Sequence, residues 1–286
     1  MNNYKIFTDS SCDLSTEEIE KRGIGCLSLT FKFDGEEAEY SNYDMPIGDF
    51  YNKMRNGGVA KTAAVNTEAF ADAFRSAFEE GMDVLYIGFS TGLSTTYNSA
   101  RLAALELADD FPDRKAVLVD TLAASAGVAL LLDMVIDKKN EGASIEEAAA
   151  FAEEQKLHIA HWFTVDDLVY LKRGGRVSPT VAFVGNLLGI KPVLHVDNEG
   201  HLVNVSKSRG RHASIVALAD RLGETILEGS RVYISHSDSL ADAEKLAGVI
   251  EQKYGYKTEL ITDVGPVIGA HSGPGTLALF FVAKER

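Results

Sequence analysis

The sequence predicts an α/β protein built around a doubly wound, mostly parallel sheet. Three times in the first half of the chain, a short apolar stretch leads into a polar turn and then a helical pattern; these stretches are 4–7, 84–87 and 116–119. Strands that alternate with helices in this way form parallel layers. Ser, Thr or Asp follows each stretch closely. We therefore expect polar side chains to gather at the carboxyl ends of the strands, where such sheets bind ligands.

The first strand, at 4–7, leads into the polar turn 8–14. Ser15, with Glu18 three residues later, predicts a capping box for a helix that ends near Arg22. Alternating apolar residues from 27 to 33 then predict a strand, and Asp34 followed by Gly35 predicts a hairpin turn into a second strand at 36–40.

Residues 61–65 are predicted to form a loop that leads to a helix. Asn66 or Thr67 is a suitable N-cap, and apolar residues at helical spacing follow. Thr62 is thus expected to be a loop hydroxyl just ahead of a helix.

The stretch 84–100 is the one on which the functional prediction depends most. Its apolar start is typical of a strand buried on both faces, and Gly88 and Gly92 permit a sharp turn. Ser94 or Thr95 is the predicted N-cap of the next helix. Unpaired N–H groups at a helix start, with hydroxyls beside them, favour an anion. The alternative interpretation is that these hydroxyls only cap the helix.

The third unit has its strand at 116–119 and a helix at 123–134, and a further helix begins at Ser144. Beyond Leu157 the pattern becomes mixed. It predicts strands at 159–164, 201–206, 231–235, 258–261 and 277–283, and helices at 213–227 and 241–254. We place a domain boundary here, with an N-terminal α/β domain at 1–157 and a C-terminal mixed α/β domain at 158–286, and expect a ligand tunnel between or within them.

Two stretches of the second half stand out. Residues 181–190 are apolar nearly all round, so they either pack into a core or line a pocket for an apolar ligand. Residues 264–276 contain four glycines and two prolines, which predict a rigid, irregular backbone around His271. Positioning of this imidazole for function and a purely structural histidine both remain open.

Composition excludes several classes of protein. The chain has 286 residues, 45% of them hydrophobic and 24% charged, as in soluble globular proteins. It shows neither a membrane-spanning run nor a signal peptide, which predicts a cytoplasmic protein. Cys12 and Cys26 are expected to be reduced thiols. A net charge of −14 argues against nucleic-acid binding.

The charge is unevenly distributed. Residues 168–213 carry seven Lys and Arg side chains against two carboxylates, a local charge of +5, so the remainder carries −19. This basic cluster is either a solvated face or a docking surface for an anionic partner or phosphate.

Six short motifs together identify a family. They are Thr8-Asp9-Ser10-Ser11-Cys12-Asp13-Leu14, Thr91-Gly92-Leu93-Ser94, Gly174-Gly175-Arg176, Lys191-Pro192, Lys207-x-Arg209-Gly210-Arg211 and Ile268-Gly269-Ala270-His271-Ser272-Gly273-Pro274-Gly275. In order and spacing, over essentially the whole chain, they resemble the DegV family, the bacterial fatty-acid-binding subunits of fatty acid kinase.

The resemblance implies a bound long-chain fatty acid and no cofactor. It places the carboxylate at Thr62, Ser94 and His271, with Thr95 beside them. Two departures from the family pattern flank this site: Thr95 replaces a usual Gly, and Ala63-Ala64-Val65 replaces a usual Ser-Gln-Pro. The acyl chain is expected in an apolar pocket formed by Phe183, Val184, Leu187, Leu188, Ile190 and Ile268.

The resemblance also implies a partner, an ATP-binding kinase subunit that converts the bound acid to an acyl-phosphate. The sequence itself has neither a P-loop nor a kinase signature set. The chain is therefore expected to present the lipid and to carry no catalytic residue. The basic cluster is the predicted docking surface, through Arg173, Arg176, Arg209 and Arg211. Transient membrane contact during lipid exchange is left open.

A serine hydrolase is the alternative from a different class. Gly88-Phe89-Ser90-Thr91-Gly92 satisfies G-x-S-x-G after a strand, and His271 follows late in the chain, with Asp238 or Asp263 between them. A metal enzyme is disfavoured, because His158 and His161 lack a third ligand and neither Asp9 nor Asp120 has the second acid of an Asp-x-Asp phosphotransferase. Asp9 and Ser10 are instead expected to brace the turn at Ser94.

Overall fold

The computed structural model describes residues 3–177 and 189–286 and confirms the predicted α/β class. The strands are β1 Tyr4–Asp9, β2 Gly25–Leu27, β3 Thr30–Phe33, β4 Tyr40–Ser41, β5 Ala60–Ala63, β6 Asp83–Gly88, β7 Ala116–Asp120, β8 Ile159–Thr164, β9 Ile190–Val196, β10 Leu202–Arg209, β11 Val232–His236, β12 Leu260–Asp263 and β13 Leu277–Val282. The described α-helices are α1 Thr16–Arg22, α2 Ile47–Arg55, α3 Thr67–Glu79, α4 Thr96–Leu107, α5 Ala126–Asn140, α6 Ile145–Gln155, α7 Val169–Arg173, α8 Arg211–Thr225, α9 Leu240–Tyr254 and α10 Pro266–Ser272.

The N-terminal sheet is parallel throughout, with the strand order β2-β1-β6-β7. Alternate residues of β6 point to opposite faces, as strand geometry requires. Tyr86 packs with Phe70 and Phe74 of α3, whereas Leu85 and Ile87 belong to the apolar cluster that includes α5 and α6. Helices therefore cover both faces, which confirms the doubly wound layer.

A small antiparallel sheet, β4-β3-β5, lies beside this layer. Its strand β5 was not expected, because Lys61, Thr62 and Ala63 have neither the length nor the β-branched content of a typical strand. Pairing with β3 makes the strand: Thr62 lies opposite Phe31. Thr62 is thus a strand residue, and its prediction as a loop residue is wrong.

The C-terminal sheet has the order β10-β9-β8-β13-β11-β12 and is mixed, because only β11 and β12 run parallel. Strand β9, which contains Lys191 and Pro192, was not predicted. One apolar cluster contains residues of both large sheets, among them Ile6, Leu85 and Phe280. The division into domains at 157 and 158 stays a prediction.

Helix α10 replaces the irregular backbone that was predicted around His271. Pro266 occupies the first helical position, where its missing N–H costs nothing, and the helix ends at Gly273 with φ of 82°. The prolines and glycines of this stretch therefore mark the ends of a short helix. Within the described residues, no helix combines the length and apolarity needed to cross a bilayer.

Candidate functional site

A cavity of about 500 Å³ lies where the parallel sheet, the mixed sheet and α10 meet. Its described wall is formed by strands of the mixed and small sheets, by helices and by the loops that follow strands of the parallel sheet. The wall is mostly apolar, and its apolar residues include Leu29, Phe89, Leu93, Phe163, Leu171, Val196, Leu202, Val264, Val267, Ile268, Ala278 and Phe280. Volumes of about 300–1,000 Å³ with apolar walls and a few polar groups are typical of small-molecule sites.

Thr62 and His271 meet at one polar part of this wall. Thr62 Oγ1 lies 2.8 Å from His271 Nε2, although the two residues are 209 positions apart in the chain. Strand β5 holds Thr62 through its pairing with β3, and the last turn of α10 carries His271. The contact therefore joins the small sheet to α10 at the edge of the cavity.

The turn after β6 supplies the second polar group. Ser94 Oγ accepts from the Thr96 N–H at 3.2 Å, whereas Thr95, at the N-cap position, makes no side-chain capping bond. Ser94 rather than Thr95 thus caps α4, and both line the cavity. Asp9 accepts from the Phe89 N–H at 3.1 Å, so it holds the start of this turn.

Two features of the loop after α7 define the surroundings of His271. A Cβ at Gly174 would lie 2.1 Å from His271 Nδ1, so only glycine fits there. Arg176 donates from Nε to the Leu93 carbonyl at 3.1 Å and lines the cavity as the one charged side chain of its described wall. Sequence reasoning had assigned Arg176 to an external surface.

The imidazole of His271 is neutral at physiological pH. Burial and, to a smaller extent, the Arg176 guanidinium lower its pKa to about 4. Its Nδ1 is buried without a hydrogen-bond partner among the described residues. The site therefore offers hydroxyls and a neutral imidazole beside one arginine, whose own pKa is lowered by burial.

A third polar group lies in the wall near the start of α5. Ser125 Oγ donates to Asp13 Oδ2 at 2.5 Å and lies 2.9 Å from Ser235 Oγ. Both serines line the cavity, as does His161. Sequence reasoning did not single out either serine. A polar residue inside the apolar strand β11 was the available signal for Ser235.

The structure brings together most of the predicted ligand-contacting residues that it describes. The same cavity is lined by Thr62, Ser94, Thr95, His271 and Ile268. Ile190, by contrast, is paired opposite Arg209 at the start of β9 and is not among the described wall residues. The remaining predicted pocket residues lie outside the described part of the chain; they are Phe183, Val184, Leu187 and Leu188.

The four arginines of the predicted docking surface have different environments. Arg173 and Arg209 are exposed, and Arg209 lies on the edge strand β10. Arg211 is ion-paired with Asp242 at 2.8 Å, and Arg176 lies in the cavity wall as described.

The geometry does not support a serine hydrolase. Ser90 is fully buried and donates to the Gly200 carbonyl at 3.0 Å, and His271 contacts Thr62 instead. The two acids proposed for the triad are also engaged elsewhere: Asp238 pairs with Arg55, and Asp263 lies 3.4 Å from His236. In residues 3–177 and 189–286, no group of three or more His, Cys, Asp or Glu is placed to hold a metal ion.

The sequence profile described as "Uncharacterised protein, DegV family" matches residues 3–284. The chain belongs to the DegV family. It is 42% identical over 290 residues to a DegV domain-containing protein of Clostridium perfringens, covering 100% of this chain and 99% of that protein.

Other relatives of this DegV-family protein are described by their ligand. A fatty acid-binding protein of Thermotoga maritima is 35% identical over 289 residues, which cover 99% of this chain and 98% of the relative. The solved structure of a stearic acid-binding protein from Eubacterium ventriosum has a TM-score of 0.89 at 28% identity and covers 98% of each chain. These DegV homologues bind fatty acids.

The low pKa of His271 predicts a specific loss of stability in acid. Unfolding returns the pKa from about 4 to 6.5, so between these values the unfolded state binds more protons and stability falls as pH decreases. The full shift corresponds to about 3 kcal/mol at pH 4. Urea unfolding measures the free energy of unfolding near pH 7 and near pH 4. Between these values it should fall by about 3 kcal/mol less in His271→Gln than in the wild type. His212→Gln, at an exposed histidine of α8, is the control; an unchanged pH dependence in His271→Gln would contradict the assignment.

Gly174→Ala is expected to displace the imidazole of His271, because the new methyl group has no space beside Nδ1. We expect a loss of about 1–3 kcal/mol in the free energy of unfolding, as for other overpacked sites. The NMR signals of the His271 ring should also shift as its contact with Thr62 is lost. Gly248→Ala, in open space on α9, should instead stabilise by about 0.5–1 kcal/mol. Unchanged NMR signals of the His271 ring in Gly174→Ala would show that position 174 does not contact this ring.

Proposed function

We propose that this DegV-family protein binds a long-chain fatty acid, with the acyl chain in the cavity and the carboxylate at Thr62, Ser94 and His271. The observation that carries the proposal is the wall itself: an apolar interior that leads to hydroxyl and imidazole groups beside one arginine. An amphipathic anion matches both parts. Fatty acid binding by the homologues supports the same ligand.

The two ends of the ligand contribute differently to binding. Burying about 14 methylene groups at ~0.8 kcal/mol each contributes on the order of 11 kcal/mol before the costs of association and ordering. Hydrogen bonds to the carboxylate contribute about 1.5–3 kcal/mol each. The chain therefore supplies most of the affinity, and the polar groups fix the position of the carboxylate.

The neutral imidazole suits this role. With a proton on Nε2, His271 donates to Thr62 Oγ1, and the Thr62 hydroxyl hydrogen is then available to a carboxylate oxygen. Ser94 offers a second hydroxyl from the start of α4, where the helix N-terminus favours negative charge. Arg176 supplies the positive charge that offsets the anion.

The bound acid is the substrate of a separate ATP-binding kinase subunit. In that reaction a carboxylate oxygen attacks the γ-phosphorus of ATP, the bond to the bridging oxygen breaks, and ADP leaves as the acyl-phosphate forms. This protein holds the acid and keeps its chain out of water. Of the four arginines of the predicted docking surface, the exposed Arg173 and Arg209 are the ones best placed to contact the partner.

Lipid should remain with the purified protein. Native mass spectrometry followed by organic extraction should reveal a long-chain fatty acid. Thr62→Val and Ser94→Ala should each weaken binding of stearic acid about tenfold or more, because each removes a hydrogen bond to a charged group. Thr91→Val is the matched control: Thr91 also lines the cavity, but its hydroxyl donates to Asp120 at 2.6 Å. If the protein, once freed of lipid, binds no fatty acid, the proposed fatty acid-binding function is excluded.

Reversing the charge at an exposed arginine should impair phosphorylation of the bound acid without impairing lipid binding. Arg209→Glu is expected to abolish acyl-phosphate formation with the purified kinase subunit and ATP, while the affinity for stearic acid stays at the wild-type value. The control is Arg75→Glu, on α3, which removes an exposed arginine paired with Asp110. Full turnover of Arg209→Glu would remove this residue from the docking surface.

A further inference from the structure

The mixed sheet presents polar side chains to the cavity as well as apolar ones. In the register of β8, β13 and β11, Phe163, Ala278 and Ser235 form one row across the sheet. Two residues along, His161 and Phe280 form part of the next row on the same face, because side chains alternate along a strand. All five residues line the cavity. The wall that an acyl chain would contact thus contains a hydroxyl and an imidazole.

The hydroxyl of Ser235 has capacity for a further bond. Ser235 is fully buried, and among the described residues its one side-chain partner is Ser125 Oγ, at 2.9 Å. A hydroxyl group has one donor and two acceptor positions. Ser125 is itself engaged with Asp13. Ser235 therefore keeps hydrogen-bonding positions that an alkyl chain cannot satisfy.

The imidazole of His161 is buried beside the start of α5, where a Cβ at Gly127 would lie 2.2 Å from its Nε2. Its Nδ1 donates to the Ile159 carbonyl at 2.8 Å, so Nε2 carries the lone pair, and Nε2 has no partner among the described residues. Burial keeps its pKa well below the usual value, so the ring is neutral. Phe280 holds the ring edge-to-face, with 5.4 Å between centroids.

An unbranched saturated chain leaves His161 Nε2 and the remaining hydrogen-bonding positions of Ser235 unused, and unpaired buried polar atoms are costly. A hydroxyl on the chain can both donate and accept, which matches Ser235 and His161. We propose that this part of the wall recognises a hydroxyl carried by the acyl chain, so that a hydroxylated long-chain fatty acid is a preferred ligand. The inference rests on the function proposed above and specifies its substrate class.

The position of these groups implies that the hydroxyl lies within the chain and not next to the carboxylate. Strand β8 leads at Thr164 towards α7 and the loop that carries Arg176. His161 lies three residues before Thr164 in this strand, which places it roughly 10 Å from Thr164 at about 3.3 Å per residue. Recognition should therefore depend on which carbon carries the hydroxyl.

The test compares stearic acid with a series of hydroxystearic acids in which the hydroxyl is moved carbon by carbon. At one position, the wild-type protein should bind the hydroxylated acid about three- to tenfold more tightly than stearic acid, the value of one net hydrogen bond. At the other positions binding should be weaker, because the hydroxyl is buried without a partner. This profile requires no variant. Weaker binding of every hydroxystearic acid than of stearic acid would overturn the inference. It would show that internal hydrogen bonds or water already satisfy Ser235 and His161.

Variants then identify the residue that contacts the hydroxyl. Ser235→Ala or His161→Phe should remove the advantage of the favoured hydroxystearic acid over stearic acid, measured as the ratio of the two affinities in each variant. Val196→Ala, in an apolar part of the same wall, is the control and should weaken both ligands alike. If neither polar variant alters the profile, the inference is wrong. Stearic acid itself reports on the proposed function, because its failure to bind would overturn that function, whereas its binding without any hydroxyl preference would overturn only the inference.

Discussion

One buried carboxyl group, that of Asp13, joins the segments from which the cavity is built. Asp13 follows β1 in the left-handed conformation, with φ of 55°. Its side chain contacts Ser125 just before α5 and accepts from the Gly265 N–H, at 2.9 Å, just before α10; its carbonyl accepts from Thr262 at 2.7 Å. These bonds join the parallel sheet to the segments before α5 and α10, which are distant from it in sequence.

Burial determines the charge of this group. It raises the pKa of Asp13 to about 8, so the carboxyl group is mostly protonated at neutral pH. A protonated carboxyl still accepts from the Ser125 hydroxyl and from the Gly265 N–H, so both neighbours are satisfied without a buried charge. The folded state binds the proton more tightly than the unfolded state, so this group's contribution to stability decreases as pH rises from 3.8 to about 8. His271 acts in the opposite direction below pH 6.5.

Sequence reasoning predicted the helices and strands that local sequence patterns determine. The caps Ser15, Asn66 and Ser144 begin helices as expected, and the three strand–turn–helix units form the parallel sheet. It missed β5 and β9, whose strand conformation comes from pairing with distant segments, and it assigned Arg176 to the surface because nothing local places this guanidinium beside Leu93. The proximity of Thr62 and His271 was inferred from family resemblance, since no local pattern relates residues 209 positions apart.

The Asp13 carboxyl also places the two polar parts of the cavity in one network. Ser125 bonds to Ser235 in the cavity wall, whereas Gly265 is the N-cap of α10, whose last turn carries His271. The start of α10 and the Thr62–His271 contact are thus connected to Ser235 by three hydrogen bonds and one short helix.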